Sequence, residues 1–298
     1  MRTQRGFTLI ELLVAMLLMV VVSGALYRLL TGTQRLSRSQ FEHADMQANM
    51  RAGALVVPAE LRELGYDTST TLGGAANSDI IAMAADSVVI RAIRASGVIC
   101  QLASNTITVD TSRNYSALRL PVGGAGHDSL MIFNESDPTI RTDDQWVRRR
   151  LEANPTAGTC PAAAPWNSHA GLNLSVTNIP WASGGSWPSD SFTVGSAIRV
   201  FEPVVYKFYT NGGRTWLGSY SLSPLGTVQP ILGPLASTSG FAYLDSASTV
   251  TATPAAVRTM RITIVAQSDR PISSGPSGGL ALQNDSMVTL VALRNTLR

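Results

Sequence analysis

The sequence predicts an α+β protein: a long N-terminal helix whose first half spans a membrane, followed by a mainly antiparallel, β-rich globular domain. Three observations predict it. An apolar run begins at Phe7 and carries one carboxylate, Glu11. An apolar stripe at helical spacing then continues the same helix toward Tyr66. Beyond Asp67 the pattern changes to short β-like runs separated by Gly, Ser, Asn and Pro.

From Leu12 to Val22 every residue is apolar, and the run resumes through Ala25, Leu26, Leu29 and Leu30. At 1.5 Å per residue, Phe7 to Leu30 reaches roughly 36 Å, enough to cross a hydrocarbon core of about 30 Å. Arg2 and Arg5, with no acidic partner, favour a cytoplasmic leader and export of the rest. A carboxylate near the bilayer centre costs about 2.5–3.5 kcal/mol, so a positive group at the same depth must offset Glu11. Cleavage after Gly6 creates one, the free amine of Phe7. That amine lies about one helical turn from Glu11 in its own chain, and between staggered chains it meets the Glu11 of a neighbour. The segment is then an assembly device as well as an anchor.

Gly6-Phe7-Thr8-Leu9-Ile10-Glu11 resembles the class III signal of type IV pilins and type II secretion pseudopilins. The resemblance implies a prepilin peptidase that cuts between Gly6 and Phe7 and methylates the new Phe7 amine. It also implies that Glu11 pairs with a neighbour's terminus during filament assembly. An ordinary secretory signal also carries Arg2, Arg5 and an apolar core, with Val22-Ser23-Gly24 as a weak cleavage site. That reading leaves Glu11 unexplained. A plain anchor fits the hydropathy but not the Gly6-to-Glu11 pattern, and no Cys follows the apolar run as a lipoprotein requires.

At 298 residues the chain holds one sizeable core beyond the membrane segment, or two small ones. Net charge is +3, and removing Arg2 and Arg5 leaves 21 basic against 20 acidic side chains, so the basic sequence pI does not by itself indicate nucleic acid. Arg148-Arg149-Arg150 is the one basic run and reads as a solvated loop or helix end. Cys100 and Cys160 lie in the part predicted to be exported, where an even count favours one disulfide. Its loop of about sixty residues would stabilise by roughly 4 kcal/mol on the chain-entropy model. Metal binding has less support, with no C-x-x-C and three scattered histidines.

Met46, Met50, Ala54, Val57, Leu61 and Leu64 trace one apolar stripe, with Arg51, Glu60, Arg62 and Glu63 off it. Gly24, Gly32 and Gly53 weaken the helix. Pro58 removes a hydrogen bond and predicts a bend, and Gly65 suits a C-cap. The predicted strands are 87–93, 97–102, 106–110, 129–134, 198–201, 204–210 and 216–221. A late hairpin joins Met260–Ile264 to Met287–Arg294 around a loop at Pro271–Gly279. Asp143 to Ala153 reads as a short helix. The divisions expected are leader 1–6, membrane helix 7–30, amphipathic continuation 31–66 and globular domain 67–298.

A narrower resemblance links the second half to PilW-type minor pilins and the pseudopilin GspJ. It is carried by Glu60-Leu61-Arg62-Glu63-Leu64-Gly65-Tyr66, Val204 to Tyr209, Pro230-Ile231-Leu232, Phe241 to Asp245, Val257 to Ile262 and Leu293-Arg294-Asn295. It implies a pilin-like fold, with the second half of the helix packed on the sheet and a role in priming or capping a filament. Ser246-Ala247-Ser248 follow Asp245 where these families often place Gly. The stretch from Gly158 to Asp190, with Trp166, Trp181 and Trp187, matches nothing in them. It reads as rings covering the sheet, or as a partner surface.

No enzyme site stands out. Gly123-Gly124-Ala125-Gly126-His127-Asp128 lacks the Lys-Ser/Thr of a phosphate loop. His127 beside Asp128 has no nucleophile elbow, and His43 and His169 are isolated. Glu135, Asp137, Asp143 and Asp144 suggest calcium without EF-hand spacing. No catalytic residue, metal or cofactor is expected. The partners implied are prepilin peptidase, other minor and major pilins, an inner-membrane assembly platform and the lipid bilayer, with no nucleic acid. The place implied is the bacterial inner membrane, with the globular domain in the periplasm and later on the pilus or cell surface. A minor pilin is the leading reading. A GspJ-like pseudopilin and a surface adhesin or DNA-uptake subunit are the alternatives.

Overall fold

The computed structural model describes residues 8–62, 64, 79–103, 105–113, 115–117, 120–124, 127–134, 139, 145–177, 193–222, 226–273 and 279–293. A single helix, α1 (Leu9–Arg62), spans 54 residues, about 81 Å at the α-helical rise. Among the described residues, none covers its first half. Every residue from Thr8 to Leu30 is exposed, and the first buried one is Met46. Met46, Met50, Gly53, Val57, Pro58 and Leu61 form the face that packs on the domain. Ala54, expected on this stripe, is half-buried, and Gly53 beside it makes the close contact. The helix runs on through Pro58 to Arg62. The expected cap at Gly65-Tyr66 lies outside the described residues.

Among the described residues sixteen strands follow. They are β1 (Ile80–Met83), β2 (Ser87–Ala103), β3 (Thr106–Asp110), β4 (Ser116–Ala117), β5 (Ser129–Asn134), β6 (Gln145–Leu151), β7 (Thr156–Thr159) and β8 (Ala170–Thr177). Then come β9 (Ala197–Asn211), β10 (Arg214–Ser221), β11 (Gln229–Leu235), β12 (Gly240–Leu244), β13 (Thr259–Gln267), β14 (Ile272–Ser273), β15 (Leu280–Ala281) and β16 (Asn284–Ala292). Every pairing is antiparallel. The expected late hairpin is β13 with β16, in unbroken register from Thr259↔Ala292 to Gln267↔Asn284, and the small β14–β15 ladder sits in its connection.

Two cores share two long strands. Val88 and Ile90 of β2, and Val204, Tyr206 and Phe208 of β9, join β10, β11, β12, β13 and β16 in a core closed by α1. The other halves of β2 and β9 enter a ring, β2–β3–β8–β6–β5–β9–β2, a six-stranded closed barrel. Ala95, Ile99, Ile107, Val109, Leu130, Ile132, Leu151, Leu174, Val176, Ile198 and Val200 fill it. Closure removes the free edges that make exposed strands prone to pairing with other chains.

Two sequence expectations are corrected here. The segment read as a helix at Asp143–Ala153 is β6, because Trp146, Arg148 and Arg150 alternate with the buried Val147, Arg149 and Leu151, a period of two. Asp143 and Asp144 lie outside the described residues. The stretch from Gly158 to Asp190, read as rings covering the sheet or as a partner surface, itself supplies a strand: β8 runs from Ala170 to Thr177 inside the barrel wall. Trp181 and Trp187 lie outside the described residues.

The predicted pairs 87–93 with 97–102, and 198–201 with 204–210, are each one strand, β2 and β9. The polar residues that split them in the sequence mark where one core gives way to the other. Along β9 the even-numbered residues face both cores throughout. Along β2 the parity changes from Val88 and Ile90 to Ala95 and Ile99. A β-bulge at Arg94, between the pairs Ile93↔Phe201 and Ala95↔Val200, makes that change. On the far edge of β9 the partner changes from β5, which ends at Phe201, to β10, which starts at Val204. Pro203, with no N–H to offer, sits in that gap.

Candidate functional site

The functional candidate is the exposed half of α1 and its first turn. Thr8 precedes the first helical residue. Its Oγ1 accepts the N–H of Glu11 at 3.3 Å, and its carbonyl accepts those of Glu11 and Leu12 at 3.1 and 3.2 Å. Thr8-Leu9-Ile10-Glu11 is thus an N-cap with a carboxylate three residues on, the S/T-x-x-E pattern, a signal in the sequence that hydropathy alone does not reveal. The consequence is positional. Glu11 stands at one end of the apolar run rather than at its centre, so its cost falls below the mid-bilayer figure. The helix N-terminus offsets about 0.3–1 kcal/mol more.

Beyond Glu11 the helix presents apolar side chains all round. Met19, Val20 and Leu29 are 65–73% exposed, and an isolated soluble chain would not keep such a surface in water. It is long and apolar enough to cross a membrane, with none of the crossing window buried in the domain. Gly6 and Phe7, the expected cleavage site, lie outside the described residues.

Cys100 at the barrel end of β2 and Cys160 just after β7 form a disulfide, Cα atoms 5.5 Å apart. Nearby, the buried Asp110 at the end of β3 accepts the Ser112 N–H at 2.8 Å and faces His169 Nδ1 at 3.2 Å. Burial pushes the Asp110 carboxyl up, but the Ser112 N–H and His169 outweigh it and hold the group below the usual carboxylate range. His169 is therefore a structural partner in the barrel.

The residues with most chemical potential meet at the bulge. Arg94 is 7% exposed, Glu202 5% and Asp128 fully buried. Arg94 Nε lies 3.0 Å from Asp128 Oδ2, which also accepts the Val122 N–H at 2.8 Å. Arg94 Nη2 pairs with Glu202, whose Oε2 accepts Ser221 Oγ, and Arg94 Nη1 donates to the Leu120 carbonyl at 2.9 Å. Two carboxylates face one guanidinium. Burial accordingly pushes the Asp128 carboxyl up, against the pull of Val122 and Arg94. Asp128, noted above beside His127, is spent here on a buried ion cluster joining the two cores. Polar residues interrupting β-like runs, Arg94 after Ile93 and Glu202-Pro203 after Phe201, were its signal in the sequence.

A cavity of about 560 Å³ opens beside this cluster, with Glu60, Arg91 and Tyr206 among its walls. Tyr206 donates to Glu60, tying β9 to α1. Among the described residues no group of His, Cys, Asp or Glu has the arrangement of a metal site. Glu135, Asp137, Asp143 and Asp144 lie outside them. The basic run is divided by the pleat: Arg149 is buried, while Arg148 and Arg150 are exposed and Arg150 pairs with Glu152.

Residues 1–27 match the family model described as the prokaryotic N-terminal methylation motif. With the apolar helix on an antiparallel β domain, this supports a type IV pilin-like protein, of structural type, anchored in a membrane, processed by prepilin peptidase and assembled with other pilins. No curated protein and no solved structure matches the chain.

Proposed function

We propose that this chain is a minor pilin of the PilW type, a subunit of the priming or tip complex of a type IV pilus. In this reading prepilin peptidase cuts between Gly6 and Phe7 and methylates the Phe7 amine. Glu11 then receives the terminus of an adjoining subunit. The observation that carries it is the first turn of α1: a capped helix end with one carboxylate, heading an apolar helix that none of the described residues covers. A carboxylate placed there is held at the depth where a liberated amine would stand.

The segments that resemble PilW-type subunits fall in one sheet, which supports the reading. Val204 to Tyr209 falls in β9, Pro230 to Leu232 in β11, Phe241 to Leu244 in β12 and Met260 to Ile262 in β13, all in the sheet that receives α1. After Asp245, where Gly is often found, Ser248 takes φ +60° and Asp245 Oδ1 accepts the N–H of Ala247 and Thr249. The turn is made without the glycine.

Mass spectrometry of the mature terminus, on protein from host cells, tests the reading. A chain beginning with N-methylated Phe7 is expected, and one beginning at Met1 or Ala25 overturns it. Gly6→Ala is expected to leave the leader in place and block assembly. Glu11→Leu is expected to preserve insertion and reduce incorporation into filaments. Unchanged incorporation would remove Glu11 from the mechanism.

A further inference from the structure

Between the apolar run and the domain, α1 crosses a bare stretch. Arg28, Arg35 and Arg38 are all exposed there, and among the described residues none has an ion pair. At 100° per residue the three fall within a sector of roughly 80°, spread along about 15 Å of helix. No carboxylate lies between Glu11 and Glu42. Glu42, one turn beyond Arg38 in the same sector, is engaged elsewhere. Its Oε2 accepts the N–H of Asp269 at 2.7 Å and of Arg270 at 3.4 Å, the first hold of the domain on the helix.

We propose that Arg28, Arg35 and Arg38 form a stripe that binds the phosphodiester headgroups of anionic phospholipids, on the membrane face nearest the globular domain. This rests on α1 spanning the membrane. Thr8 to Tyr27 covers about 28 Å, close to one hydrocarbon thickness, and Tyr27 suits the aromatic belt at its edge. Arg28 then lies at the boundary, where its stem can stay in the apolar layer with the guanidinium in the headgroups. Arg35 and Arg38 stand about 10 and 15 Å above it, within reach of the headgroup layer and its surface potential. Guanidinium is the side chain best matched to phosphate, through paired N–H donors. The domain begins about 22 Å from the boundary, at Glu42, whose carboxylate is engaged by the Asp269 and Arg270 N–H groups, so headgroups are the acceptors open to the stripe before assembly. The stripe would hold the unassembled subunit upright at a fixed height.

The full chain reconstituted in phosphatidylcholine nanodiscs, with trace spin-labelled phosphatidylglycerol or phosphatidylcholine, tests this. Immobilised label is read by electron paramagnetic resonance. The wild type is expected to immobilise the glycerol lipid at least fivefold more than the choline lipid. Each Arg→Gln change should lower the preference about fivefold or to the baseline, and R28Q/R35Q/R38Q should abolish it while still entering the discs. Equal immobilisation of the two lipids, or an unchanged preference in the triple variant, overturns the proposal and assigns the stripe to carboxylates of other subunits. Displacement by 10 mM inorganic phosphate would show a general phosphate site and also overturn it. A chain that fails to enter the discs would sink the membrane-spanning reading itself.

Discussion

Gly53 shows how one residue sets the seating of a helix. A Cβ built there would collide with Ile264 Cδ1 and lie 3.0 Å from Leu232 Cδ2, so at this position α1 sits closer to the sheet than a side chain allows. Gly53→Ala gains about 1 kcal/mol in helix propensity and loses a similar amount in contact with a flexible Ile tip, so little net change is expected. Gly53→Leu is expected to cost about 1–3 kcal/mol by overpacking, read by urea denaturation of the detergent-solubilised chain. Glu202 acts by charge. Arg94→Met leaves the buried carboxylates of Asp128 and Glu202 without their cation, at an expected cost of about 3–5 kcal/mol, and adding Glu202→Leu should recover part of it. If the double variant is no more stable than the single one, the cluster does not act as an ion pair. The role of Gly53 was not legible in the sequence, where it read as a helix weakness. A glycine's effect depends on what faces it, and its partners here are 179 and 211 positions away.

At the scale of elements, the strands were legible wherever one face is buried and the other wet. β13 and β16 read as a hairpin because Met260, Ile262 and Ile264 alternate with Arg261 and Thr263. β6 read as a helix because consecutive arginines hide a two-residue period: the buried Arg149 carries the same letter as its exposed neighbours. The end of β3 carries a pH dependence. Asp110 titrates lower in the fold than in the unfolded chain, so its contribution is fully present above the unfolded carboxyl value of about 3.9. It is lost as pH falls through the lower folded value. Asp110→Asn is expected to lower stability at pH 7 by about 1–3 kcal/mol and to flatten the loss on acidification below pH 4. Thermal melts of the two proteins from pH 7 to pH 2 check this. Parallel curves would show that Asp110 contributes packing alone.

For the whole molecule the decisive device is the change of phase at Arg94. Because side chains alternate along a strand, one residue more or less exchanges its faces. Deleting Arg94 is expected to turn Ala95 and Ile99 out of the barrel and to part Cys100 from Cys160, while β13 and β16 keep their seat against α1. Free-thiol titration and limited proteolysis read both effects, and an intact disulfide in the deletion variant would show that the bulge is dispensable. The class of protein was written in the first eleven residues. A capped apolar helix with one early carboxylate is a local pattern, complete within three turns and independent of the remaining chain. The long helix and the alternating strands were equally local. Only the tertiary structure decided that β2 and β9 each serve two cores, that six strands close into a barrel, and that a buried arginine stands between. Those facts depend on which distant strands pair, and the register of a pair is set by the combined fit of both faces rather than by either strand's own letters.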